Sequence, residues 1–167
     1  MKKIIKLLPF YLPFFLFITF LTACNTSKYT LVPITENDIN TAINNSKWEF
    51  SINQVIPQYG RSLQANGDYT INFNENKLNV YLPYYGSAYG GANTYGGSNP
   101  LDFTSDDFTS DKKLGKLGET LIRFKLNDNT EVNFLNFTIF SNGTSSVNIE
   151  MINRTSISFN GTLRPSI

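Results

Sequence analysis

From Trp48 onward apolar and polar residues alternate, and that alternation predicts most of the molecule. Trp48, Phe50, Ile52 and Val55 interleave with polar residues up to Pro57, the pattern of a strand with one wet face. Tyr59-Gly60-Arg61 is turn material. Tyr69–Phe73 and Leu78–Leu82 flank Asn74-Glu75-Asn76-Lys77 and read as a hairpin. Leu101 to Thr109 holds a short edge strand, and Lys112 to Gly118 reads as a basic, Gly-containing connection. Leu121–Leu126, Val132–Phe140, Ser145–Ile152 and Ile157–Leu163 follow, separated by Asn127-Asp128-Asn129, Ser141-Asn142-Gly143 and a turn at Asn153-Arg154.

Upstream the period changes. Thr35-Glu36-Asn37-Asp38 resembles a helix start, with a Thr cap and an acid three residues on, and Ile39, Ala42 and Ile43 form one apolar edge ending near Asn45-Ser46. So thin a stripe suits a helix capping one end of a sheet. Strands joined by two to four polar residues pair antiparallel, because a parallel neighbour needs a long crossover. The expected fold is mostly β: an antiparallel β-sandwich or small β-barrel of about eight strands with one short N-terminal helix. Phe134, Phe137, Phe140 and Phe159 are expected in its core.

One stretch breaks the alternation. Tyr81 to Gly97, YLPYYGSAYGGANTYGG, puts Pro83, five Gly and four more Tyr directly after a strand. Proline removes a ladder donor and glycine packs nothing, so pairing should loosen there. A plain linker has no use for so many rings. A tyrosine brings apolar area and a hydroxyl in need of a partner, so the stretch is either a structural plug or a recognition surface.

The first 23 residues are read as an address. Lys2, Lys3 and Lys6 precede an apolar run from Leu7 to Leu21, interrupted by Pro9 and Pro13. The run is short for a membrane span of about 20 residues and fits a signal peptide. Leu21-Thr22-Ala23-Cys24 resembles a bacterial lipobox, which implies a lipidated Cys24 after cleavage, and Cys24 is the chain's single cysteine. The expected organisation is a lipoprotein signal peptide over 1–23, a lipidated tether over 24–34 and a single β-rich domain over 35–167. The residues after Cys24 lack an acidic run, which resembles lipoproteins of the outer membrane that face the periplasm.

Charge and composition narrow the chemistry. With three of the 14 basic residues in the leader, 11 stand against 13 acidic ones, a formal −2. No basic cluster offers nucleic acid a footprint, so none is expected as a partner. The chain has no histidine, which removes Ser-His-Asp and Cys-His nucleophiles and imidazole metal ligands. No catalytic residue, metal or cofactor is assigned. Asp102, Asp106, Asp107 and Asp111 lie close together, and a glycosidase needs two facing carboxyls, but four acids in a surface loop are equally ordinary solvation. A Ca²⁺ site from the same oxygens matches no EF-hand spacing. Asn136, Asn142, Asn153 and Asn160 open Asn-x-Ser/Thr triplets, which in a bacterial lipoprotein are better read as turn and strand-end residues.

Tyr81-Leu82-Pro83-Tyr84-Tyr85-Gly86-Ser87-Ala88-Tyr89, Leu101-Asp102-Phe103, Phe140-Ser141-Asn142-Gly143 and Asn153-Arg154-Thr155-Ser156-Ile157-Ser158-Phe159-Asn160-Gly161-Thr162, with Pro57-x-x-Gly60-Arg61-Ser62, resemble small lipoproteins of Bacteroides-type bacteria catalogued as a domain of unknown function. The resemblance runs from about Trp48 to Thr162. Members usually carry a basic residue where this chain has Ser87. The resemblance implies a mostly-β envelope domain and no particular activity.

The co-occurring motifs suggest that Arg154 meets the tyrosine turn, donating to its carbonyls or stacking on a ring. The candidate ligand-binding residues are Arg61, Tyr84, Tyr85, Tyr89, Tyr95 and Arg154, with Cys24 as the lipid attachment site. The reading is a lipid-anchored cell-envelope protein, non-enzymatic, with a binding or scaffolding domain that works through the Tyr/Gly loop. Its partners would be the membrane, through the lipid, and a glycan, a peptide or an envelope protein. The alternative is a carboxylate-dependent hydrolase acting on envelope glycans.

Overall fold

The computed structural model describes residues 34–89 and 99–166; the leader, Cys24 and Tyr95 lie outside them. Residues 33–167 form one compact unit. Helix α1 spans Glu36–Asn44. The strands are β1 Lys47–Pro57, β2 Leu63–Gln64, β3 Thr70–Asn74, β4 Lys77–Tyr81, β5 Asp102–Ser105, β6 Phe108–Leu114, β7 Thr120–Leu126, β8 Val132–Ile139, β9 Thr144–Met151 and β10 Ile157–Pro165. They make one antiparallel sheet in the order β5-β4-β3-β1-β10-β9-β8-β7-β6, with β2 paired beside β1. No described helix is long and apolar enough to cross a membrane.

The sheet curls into a nearly closed barrel. Its edge strands β5 and β6 are consecutive in the chain and separated only by Asp106-Asp107. The turn after β7 clamps that seam. Asp128 accepts hydrogen bonds from the Ser105 hydroxyl at 2.7 Å and from the backbone N–H groups of Asp106 and Asp107. Asn127 donates its backbone N–H to the Asp107 carbonyl and its side-chain amide to the Asp107 carboxylate. Desolvation works against the charged Asp128 carboxylate, but these donors outweigh it and hold its pKa below the ordinary value.

Between these edges β1 and β10, the first long strand and the last, pair along nearly their whole length. A register shift between Ile52 and Gln54 marks a bulge, which explains why the buried series steps by three from Ile52 to Val55. Gly161 lies opposite this bulge, where a Cβ would run into the Ser51 carbonyl and the Ile52 backbone. Only glycine lets the two strands approach so closely.

Inside, the rings interlock. Trp48 lies 5.1 Å from Phe137 and 5.4 Å from Phe73, and Phe124 lies 5.0 Å from Phe73 and 5.9 Å from Phe137 between ring centroids. Most of these contacts are edge-on, the preferred arrangement for quadrupolar rings. The Trp48 indole N–H is buried without a hydrogen-bond partner among the described residues, a cost of about 1–3 kcal/mol that the surrounding rings must offset. Helix α1 covers one end with Ile39, Ala42 and Ile43 buried. Its start is the capping box the sequence predicts, Thr35 and Asp38 bonding reciprocally. The backbone N–H and the hydroxyl of Thr35 hold the Asp38 carboxyl below its usual range.

Some expectations need correction. Lys112–Leu114 belong to β6 and are not part of a connection; pairing with β7 carries them into the sheet although their side chains are exposed. Leu101–Thr109 does hold a short edge strand, β5, but it also reaches the start of β6 at the opposite edge. Phe137 and Phe159 are buried, whereas Phe134 is half-buried and Phe140 is exposed. With Leu135, Phe137 and Ile139 facing in, Phe134, Asn136 and Thr138 face out, and the register shift between Val132 and Phe134 lets Val132 face in as well. Phe134 instead supports the Arg123 guanidinium, 3.7 Å above its ring.

Candidate functional site

Leu82 ends the regular part of the β3–β4 hairpin, and its carbonyl is capped by the Asn99 side-chain amide. From Pro83 the chain leaves the sheet and runs alongside Asn153–Thr155, the segment that leads into β10. Ala88 and Arg154 form an isolated antiparallel bridge. Thr155 donates its N–H to the Ser87 carbonyl at 2.9 Å, and Tyr89 donates its N–H to the Asn153 carbonyl at 2.9 Å. An irregular segment is thus tied down on its backbone as a strand would be.

Tyr84 and Thr155 form the floor. The Tyr84 hydroxyl donates to the Thr155 carbonyl at 2.9 Å and lies 3.1 Å from the Thr155 hydroxyl oxygen, which accepts the Ser87 N–H at 3.0 Å. Thr155 is buried. Gly86 is required here, because a Cβ would occupy the space of the Tyr84 hydroxyl and the Thr155 Oγ1. Burial raises the Tyr84 pKa, against the opposing effects of Thr155 and the Arg154 charge, so its hydroxyl stays protonated as a donor.

Arg154 fixes the edge of this floor. Its Nε donates to Glu131 Oε2 at 2.8 Å, with the arginine side chain 14% exposed, and its guanidinium carbon lies 5.7 Å from the Tyr84 ring centroid. The carbonyl of Glu131 also accepts the Ile152 N–H, so the β7–β8 turn braces the turn after β9. The arginine therefore meets a tyrosine face, as its sequence context suggests, while its hydrogen bond goes to a carboxylate.

The other rings face outward. Tyr85 and Tyr89 are 51% and 55% exposed, on a backbone held from below. An open groove of about 550 Å³ begins at Ser156, the residue after Thr155. It is lined by Ile56, Pro57 and Gln58 from β1 and its turn, and by Asn148, Glu150 and Ser158 from β9 and β10. Gln58 accepts the Ser156 N–H across its end.

The structure therefore brings together Tyr84, Tyr85, Tyr89 and Arg154. Arg61 is exposed in the turn after β1, and among the described residues no hydrogen bond or ion pair joins it to this network. Thr155 and Glu131 escape sequence reasoning: each is far along the chain from its partner, 71 residues for Tyr84–Thr155 and 23 for Arg154–Glu131. The only signal for Thr155 is its place inside the Asn153–Thr162 motif.

The acidic cluster does not converge. Asp102 lies on β5 and Asp111 on β6, on the two edges of the sheet. Asp107 accepts from Asn127, and Asp111 pairs with Lys113 at 2.7 Å. The pocket that Asp111 lines holds Thr109, Ser110, Arg123, Lys125 and Phe134 and no second carboxylate. Among the described residues no group of three His, Cys, Asp or Glu side chains is arranged to hold a metal. The amide triplets have structural roles. Asn136 donates to Glu150 and Asn160 to Gln54 across strands, and Asn142 accepts the Thr144 N–H in its turn.

Comparison with known proteins places the chain in a family. Residues 34–163 match the domain of unknown function DUF4251, and the chain belongs to that family. A crystal structure of a DUF4251 family protein from Bacteroides eggerthii DSM 20697 superposes with a TM-score of 0.57 at 16% identity, covering 80% of this chain and 89% of that one. Among curated proteins none matches.

Proposed function

We propose that this member of the DUF4251 family is a non-enzymatic binding protein of the bacterial cell envelope. It would be anchored through a lipidated Cys24, at the outer membrane facing the periplasm, and present Tyr85 and Tyr89 as a recognition surface. The observation that carries the binding role is the clamped loop. Tyr84, Thr155 and the Ser87 and Tyr89 backbone bonds immobilise Tyr84–Tyr89, while two neighbouring rings stay about half exposed. Rigid tyrosines on a fixed backbone make contacts at little entropic cost. The groove that begins at Ser156 adds amide, hydroxyl and carboxylate groups from Gln58, Asn148, Ser158 and Glu150, a lining that suits a polyhydroxylated chain, whose apolar faces the exposed rings could stack on. An envelope glycan is the favoured ligand, ahead of a peptide or protein.

The test takes residues 24–167 with Cys24→Ser and titrates them, by calorimetry, with envelope glycans and with peptides from membrane proteins. Binding by one class, lost in Tyr85→Ala/Tyr89→Ala, is expected. No binding by any ligand, or binding indifferent to both tyrosines, overturns the reading and leaves the loop a structural plug. The anchor is tested separately, by mass spectrometry of the protein from its membrane fraction. A diacylglyceryl-modified Cys24 at the amino terminus is expected, and an unmodified thiol on a soluble product overturns it.

A further inference from the structure

The second concentration of exposed apolar surface lies away from the tyrosine loop, at the tip between β6 and β7. Leu114 and Leu117 are 78% and 85% exposed. Lys112, Lys113 and Lys116 flank them, all exposed, against the two acids Asp111 and Glu119 within Asp111–Glu119. A net positive tip on a chain with a formal charge of −2 after residue 23 is a local feature, not a reflection of composition. Glu119 is occupied in shaping the hairpin: its carboxylate accepts the Leu117 N–H at 2.8 Å and its carbonyl accepts the Gly115 N–H at 2.7 Å. Lys113 pairs with Asp111, Lys112 donates to Asn44 at 2.9 Å, and none of the ion pairs among the described residues uses Lys116.

We propose that this hairpin is a membrane-contacting element: it adsorbs to anionic phospholipid headgroups, with Leu114 and Leu117 entering the interface and the three lysines on the phosphates. Apolar side chains beside basic ones are the combination that holds a peripheral segment at such a surface. Lysines alone would be accounted for as guards of the β6 edge, but guarding an edge does not call for two bare leucines at its end. The position of the tip supports the same occupant. Glu36, Ile39 and Ile43 of α1 line one pocket together with Leu114 and Gly118, so the described chain starts at the end of the barrel that carries the hairpin. The ten residue-to-residue steps from Cys24 to Ile34 span at most about 35 Å. Orientation of the hairpin toward a bilayer rests on the proposed anchor, whereas its affinity for lipid does not.

The experiment therefore omits the lipid. The core runs from Ile39 to Leu163, so residues 24–167 with Cys24→Ser keep all of it. That protein is sedimented with vesicles of phosphatidylglycerol and phosphatidylcholine, and with phosphatidylcholine alone. Adsorption to the anionic vesicles only, weakened by salt, is expected. Leu114→Ser/Leu117→Ser should lower the partition coefficient by roughly tenfold, and each Lys→Gln change by up to about fivefold, with near-ultraviolet circular dichroism unchanged. Adsorption to neither vesicle, or equal adsorption by the variants, overturns the proposal. So does a concentration-dependent dimer that the leucine variant abolishes, because it assigns the tip to a second copy of the chain. An unmodified Cys24 in the native protein would remove the anchor and leave the vesicle result as it stands.

Discussion

Two irregular segments each present exposed apolar side chains, Tyr85 and Tyr89 on one and Leu117 on the other, and they are held in opposite ways. Pro83–Tyr89 is fastened to a distant part of the chain by a buried threonine, a half-buried tyrosine and an arginine paired with a glutamate. Gly115–Glu119 is bonded chiefly to itself. A partner with a fixed shape rewards a surface prepared in advance, since ordering has been completed during folding. A bilayer has no shape to match and rewards only charge and apolar area. The difference in support thus parallels the difference in proposed partner.

The comparison assumes that both segments stand on one core, and the largest effect tests this. Phe124→Ala removes a ring in contact with Trp48, Phe73, Phe108 and Phe137. It should cost about 3–5 kcal/mol in urea unfolding, with a single transition seen by probes in both segments. Thr155→Val is the discriminating change. It keeps the shape but removes the acceptor for Ser87 and a partner of Tyr84, at about 1–3 kcal/mol. Amide exchange should then accelerate at Ser87 and Tyr89 and stay unchanged at Gly115 and Gly118. Equal acceleration at both would end the distinction.

A smaller effect is expected from Glu131→Gln. The pair it weakens is mostly covered at the arginine and partly exposed at the glutamate, so about 1 kcal/mol is at stake, together with a looser Tyr84–Arg154 contact. Tyr84 also sets an alkaline limit. Its folded pKa lies above its unfolded value of about 10, so its contribution is complete below about pH 10 and is lost as pH rises through the folded value. An ultraviolet titration should show an ionisation above the ordinary tyrosine range, and Tyr84→Phe should remove that step. Smallest of all is Leu117→Ser, which should change stability by less than about 0.5 kcal/mol, because its side chain touches solvent and not the core.

Much of the fold was legible because local chemistry and tertiary structure agree. The capping box at Thr35 and Asp38, the two-residue turn between Asn74 and Lys77, and the Ser141-Asn142-Gly143 turn each specify their own geometry. The misreadings have two causes. Lys112–Leu114 alternates nothing, since nearly all of β6 is exposed, and a strand defined only by its neighbour leaves no period to read. Phe134 and Phe140 were placed inside by residue type, but a strand assigns faces by position.

The sequence alone determined a helix, a succession of antiparallel strands and an aromatic break after Leu82, because each of these is encoded within a few residues. Tertiary structure decided the rest: that β5 and β6 meet at a seam under Asp128, that Gly161 admits the bulge of β1, and that Thr155 lies beneath Tyr84. Those contacts join residues many positions apart, and no local pattern records a partner that only chain closure brings within hydrogen-bonding distance.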